Sequence, residues 1–145
     1  MATVELRFSA LPEHVRTARL VAAAVARRAG VDEAVLDEVR LAVGEACSRA
    51  VGLHESHGIS APVRVVLVED EKTFSIEVGD EVPGSGGTAA GGAETEGGGE
   101  TDAEGEDEMG LAVISGLVDD VEVTSGEEGG RIRMSWPAHP TPVLP

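Results

Sequence analysis

Glu38-Val39-Arg40-Leu41-Ala42-Val43-Gly44-Glu45-Ala46-Cys47-Ser48-Arg49-Ala50-Val51 is the run around which the rest of the chain is organised. Leu36, Val39, Val43, Ala46 and Ala50 recur at three- and four-residue intervals, the pattern of a helix with one buried stripe. Asp32, just upstream, suits the N-cap. Leu41, Glu45, Ser48 and Arg49 fall on a different face. Glu45 and Arg49 are then one turn apart, with the acid nearer the N-terminus. That order favours pairing, worth about 0.2–0.5 kcal/mol on an exposed helix. Cys47 lies within the apolar pattern and is expected to be buried as a small hydrophobe, with no partner for an internal disulfide.

Upstream, Val4, Leu6 and Phe8 alternate with Thr3, Glu5 and Arg7, which predicts a half-buried strand. Pro12 suits the start of a helix carrying Val15, Ala18, Ala22 and Val25 inward, and Gly30 stops it. Downstream, Gly52 to Ala61 reads as a connecting loop. Val63, Val65, Leu67 and then Phe74, Ile76, Val78 read as a hairpin turning through Glu69-Asp70-Glu71-Lys72. Gly110 opens a short apolar helix, Leu111 to Val118. Asp119 to Thr124 and Arg131 to Trp136 form a second hairpin that turns through Gly126 to Gly130. The expected fold class is α+β: a two-layer sandwich of a mainly antiparallel mixed sheet with helices on one face. Residues 1–136 are read as one domain, and the Pro-rich tail 137–145 as extended and loosely held.

Within that domain, residues 81–108 stand apart. They contain nine acids, nine glycines, no Leu or Ile, no aromatic residue and no Lys or Arg, so they are read as an inserted, disordered loop. The net charge of −16 argues against nucleic acid as a direct ligand and favours a basic protein partner. No signal peptide and no apolar run of membrane-spanning length is visible, so a cytoplasmic protein without membrane association is expected. His54 and His57 could face one way, yet no Cys or further His completes a metal site, and none is expected. His14 and His139 read as surface residues, and Trp136 as a cap on the core.

From about Thr3 to Trp136, the element order and three spaced motifs resemble the GHKL (histidine-kinase-like) ATPase superfamily, the Bergerat fold. The branch most similar is that of anti-sigma factors that are also serine-protein kinases. The first motif reads E-A-C-T-N-A in that branch and Glu45-Ala46-Cys47-Ser48-Arg49-Ala50 here. The resemblance implies that Glu45 stands at the catalytic base position and Arg49 where an Asn helps hold Mg²⁺. A guanidinium has only donors and a positive charge, whereas Mg²⁺ needs oxygen ligands. The second motif, D-x-G-x-G, is Asp80-Glu81-Val82-Pro83-Gly84 here. The resemblance gives Asp80 the adenine amino group and Gly84 a close approach to the base. Val82 replaces a glycine, and Pro83 removes a backbone donor, so a narrowed pocket is expected. The third is Gly110-Leu111, where backbone N–H groups meet the phosphates in the family. Glu106, Asp107 and Glu108 precede it, and each like-charge contact with a phosphate costs roughly 1 kcal/mol even in water.

What the resemblance implies is an anti-sigma factor that sequesters an alternative sigma factor and is countered by an anti-anti-sigma protein with a STAS domain. A homodimer is also plausible from that likeness. The three departures point to a protein that acts by binding, needing no ATP or Mg²⁺. Two other readings stay open at this point: an active ATP-dependent serine-protein kinase that phosphorylates the anti-anti-sigma protein, using Mg·ATP, and a non-catalytic STAS-binding scaffold.

Overall fold

A computed structural model describes residues 2–83, 113–118, 120–127 and 129–138 of the chain. Five strands and two long helices account for most of them: β1 (Ala2–Phe8), α1 (Glu13–Ala29), α2 (Leu36–Ser56), β2 (Val63–Glu69), β3 (Thr73–Gly79), β4 (Asp120–Gly126) and β5 (Gly129–Pro137). Residues 113–117 are helical as well. The strands form one sheet in the order β1-β2-β3-β5-β4. Each neighbouring pair is antiparallel, so no parallel strand completes the expected mixed sheet among the described residues.

The register explains the two layers. Val4, Leu67, Ile76, Met134 and Val121 lie opposite one another across all five strands, as do Leu6, Val65, Val78, Ile132 and Val123. These two rows share one face, and both belong to the core. The helices cover that face. Full burial of each such side chain is worth about 1.5–3 kcal/mol. α1 contributes mostly small residues, Ala18, Ala22, Ala26 and Ala29, which let it approach α2 closely. Gly30 ends α1 at φ 97°, with its N–H bonded to Arg27 and that of Val31 to Ala26. This pair of bonds is the Schellman closure, and it needs a residue free to adopt positive φ. Asp32 accepts from Ala34 N–H and caps a short 3-10 turn at Glu33–Val35 that leads into α2.

Four expectations need correction. α2 does not stop before Gly52 but runs to Ser56, because Leu53 and His54 in its final turns are both buried. Their burial outweighs the roughly 1 kcal/mol that Gly52 costs inside a helix. The second hairpin turns more tightly than expected, since β4 runs to Gly126 and β5 already begins at Gly129. The tail is not loose from its first residue: Pro137 belongs to β5, and Ala138 is buried and donates to Lys72 O at 2.9 Å. The tail beyond Ala138, including His139, lies outside the described residues, as does most of the acidic loop. Trp136 does cap the core, stacked on Phe74 at a centroid distance of 6.3 Å. His14 is half-buried beside the Phe8 ring rather than at the surface. Among the described residues, no helix is long and apolar enough to cross a membrane.

Candidate functional site

The site lies where the C-terminal half of α2 meets the exit of β3 and the start of β5. Ala42, Ala46, Arg49 and Leu53 are all buried and recur at three- and four-residue intervals, so Arg49 shares a buried stripe. This corrects the placement of Arg49 beside Leu41 and Ser48, which are exposed. Arg49 also does not pair with Glu45. Its Nη1 stands 4.0 Å from Asp80 Oδ2, and the two side chains are 4% and 3% exposed. Glu45, one turn earlier, is half-buried and makes no side-chain hydrogen bond or ion pair among the described residues.

Asp80 is fixed from several directions. Its Oδ1 accepts from Val82 N at 2.8 Å and Gly130 N at 3.2 Å, and its own N–H donates to Gly130 O at 3.0 Å. Val82 is buried. Gly129, at φ 142°, presses against the same segment: a Cβ there would lie 2.0 Å from Asp80 O. Any side chain at position 129 would force the strand exit to move.

His54 completes the corner. It is fully buried; its Nδ1 lies 2.9 Å from Ala61 O, and its Nε2 accepts from Glu81 N at 3.0 Å. His57 Nδ1 lies 3.0 Å from Leu53 O, and among the described residues no cluster of metal-ligating side chains forms around the two histidines. Cys47 is buried, and burial pushes its thiol up to about 12.

Of the residues singled out from sequence, Arg49 and Asp80 are therefore brought together and Glu45 lies one turn away on the same helix. Gly84, Gly110 and Leu111 lie outside the described residues. Sequence reasoning missed Gly129, Gly130 and the structural role of His54. The paired glycines were read as a turn, and their contact with Asp80 depends on the β3–β5 pairing.

A family model described as a histidine kinase-like ATPase domain matches residues 8–136. The chain belongs to this family. The solved structure of the RsbU and RsbW domains of Rv1364c from Mycobacterium tuberculosis is similar in fold, with a TM-score of 0.67 at 15% sequence identity. That match covers 100% of this chain and 34% of the other, so this chain spans about a third of that protein's length. At such identity the likeness concerns the fold alone. No curated protein sequence matches the chain. In this histidine kinase-like domain, α2 and the β3 exit both lie within the matched residues, and Arg49 and Val82 both fall in the buried corner.

A second surface is set apart by exposure. Leu20 of α1 and Leu41 of α2 are 58% and 54% exposed, and they flank a shallow groove with Arg16, Arg19, Asp37 and Arg40. Asp37 pairs with Arg40, which leaves Arg16 and Arg19 as the excess charge of the groove. The stem of Arg19 lies across Gly44, where a Cβ would meet its Cδ at 2.8 Å.

Proposed function

We propose that this histidine kinase-like domain is an anti-sigma factor that works by binding rather than catalysis. On this reading it sequesters an alternative sigma factor in the cytoplasm, and an anti-anti-sigma STAS protein competes for it. The observation that carries the reading is the buried contact between Arg49 and Asp80. The family's metal-holding position and its adenine-recognising position engage each other. Arg49 offers Mg²⁺ no oxygen and repels it. Asp80 already accepts two backbone N–H groups and faces a guanidinium. These residues do not suit Mg·ATP.

The exposed groove between α1 and α2 supports the binding side of the proposal. Two leucines more than half exposed, beside two arginines in excess, are unusual on a chain of net charge −16. Partner exchange would follow relative affinity and concentration, with no nucleotide cycle to drive it.

The test is calorimetric titration of the full chain with ATP and ADP, with and without Mg²⁺, run beside a pull-down of purified sigma factors in nucleotide-free buffer. The expected result is no nucleotide binding at millimolar concentration and retention of a sigma factor. Transfer of labelled phosphate to a serine of a STAS protein would instead establish the kinase reading. Binding of STAS proteins with no sigma factor retained would leave the scaffold reading. Arg49→Asn is expected to restore some Mg²⁺-dependent nucleotide binding if Arg49 is the main obstacle.

A further inference from the structure

His54 is the buried polar group that the proposed function does not use. It sits in the last turn of α2, is 0% exposed, and makes two hydrogen bonds that join three separate pieces of chain. One runs to Ala61 O in the loop before β2, the other from Glu81 N just after β3. A backbone N–H can only donate, so Nε2 must be the unprotonated acceptor. Nδ1 then carries the proton and donates to Ala61 O. Geometry thus assigns one neutral tautomer.

The position of this bond gives it leverage. Glu81 follows Asp80, and Asp80 is the residue on which Arg49, Val82 and Gly130 converge. The titratable and charged groups on the elements packed around His54 are Arg49, Glu55 and His57 at the end of α2, and Asp80 and Glu81 after β3. None forms an ion pair with His54 among the described residues. A protonated imidazole has an N–H at both nitrogens. Nε2–H would then point at the Glu81 N–H, with no acceptor between them.

We propose that His54 is a positioning residue for the Asp80 segment and a proton-responsive latch on it: neutral His54 holds Glu81 in place, and protonation releases it. The proposal does not depend on sigma-factor binding. Its readout is a single backbone amide, so its failure and that of the proposed function are separable.

The experiment is amide hydrogen exchange on the full chain, corrected for intrinsic rates, at one pH above and one below the point where imidazole nitrogen spectra show His54 taking up its second proton. Glu81 should lose about ten-fold in protection at the lower pH, the scale of one hydrogen bond. Val65 and Leu67, inside the first hairpin, should not change. Two variants divide the bonds. His54→Gln keeps an acceptor for Glu81 that does not titrate, and should hold protection at both pH values. His54→Asn keeps only the Ala61 bond, and should show low protection at both. Glu81 protection that is the same at both pH values in the wild type overturns the latch. So does a spectrum placing the proton on Nε2 at the higher pH, or a His54→Gln variant that loses protection on acidification as the wild type does.

Discussion

Arginine meets carboxylate both on the outer face of the sheet and in the corner between α2 and β3, and these two settings differ in everything but chemistry. On the outer face of the sheet, Glu5 lies 2.8 Å from Arg7 and 3.4 Å from Arg64. Glu77 lies 3.4 Å from Arg131 and 3.9 Å from Arg133. In the corner between α2 and β3, Arg49 and Asp80 are 4.0 Å apart and almost wholly buried. By distance alone the surface pairs look stronger. Water and salt screen them, however, and such pairs contribute about 0–1 kcal/mol each. In the buried pair, attraction and desolvation nearly offset, so its net worth is also modest. The difference lies in what remains when one partner is removed. A surface carboxylate returns to water; Asp80 has nowhere to go.

The largest expected effect follows from that asymmetry. Arg49→Leu should lower stability by about 3 kcal/mol, the lower end of the range for removing one member of a buried pair, because Asp80 keeps its bonds from Val82 N and Gly130 N. Urea denaturation would measure it. Asp80→Asn introduced together with Arg49→Leu should recover part of the loss, with a coupling of roughly 0.5–3 kcal/mol in the double-mutant cycle. The contrast between the two regions breaks down if Arg49→Leu is no more damaging than Arg131→Leu on the sheet face.

Gly129→Ala comes next and probes the same corner without touching a charge. The position combines φ 142° with a carbonyl oxygen, Asp80 O, 2.0 Å from the site of the new Cβ. The backbone conformation alone is worth about 1–3 kcal/mol against a side chain, and the contact adds to it. A thermal melt should show a clear drop, whereas Gly126→Ala, in the same hairpin with open space around it, should change little.

These two sites also mark the limit of what the sequence made legible. Period-two alternation in β1, β2 and β3 fixed the faces of the strands, because one buried face imposes that pattern. The stripe of Leu36, Val39, Val43, Ala46 and Ala50 placed α2 correctly for the same reason. Arg49 was misplaced because a charged residue was assigned to the exposed side. The stripe of Ala42, Ala46 and Leu53 was present in the sequence and would have drawn it inward. That its partner would be Asp80 could not be read, since the contact exists only once α2 lies across β3. The same holds for His54: bonds to backbone atoms leave no mark in a side-chain pattern. The extent of α2 past Gly52 was hidden because local propensity favoured a break where tertiary burial favoured a turn more.

A smaller effect tests the surface side of the comparison. Glu77→Gln removes the shared partner of Arg131 and Arg133, yet stability should fall by no more than about 1 kcal/mol. The difference from wild type should shrink as salt is added, because exposed charges are screened within about 8–10 Å. A salt-independent loss as large as that of Arg49→Leu would show that this face is less open to water than its exposure implies.

The smallest effect separates hydrogen bonding from charge at Glu5. The hydrogen bond from Arg7 holds the Glu5 carboxyl below its ordinary range; a small desolvation opposes it, and the charges of Arg7 and Arg64 add to it. A carboxyl depressed in the folded state adds stability above its unfolded range and loses it as pH falls through the folded value. Glu5 is exposed, so that contribution should be lost in the error of a denaturation curve. The titration itself should not be. Followed by carboxyl carbon NMR, Arg7→Ala should move the Glu5 midpoint up toward the ordinary value, and Arg64→Ala should move it less. Equal shifts would mean that charge, rather than the directed bond from Arg7, sets the titration. Added salt would then erase both shifts together, whereas a hydrogen bond would keep part of the Arg7 effect.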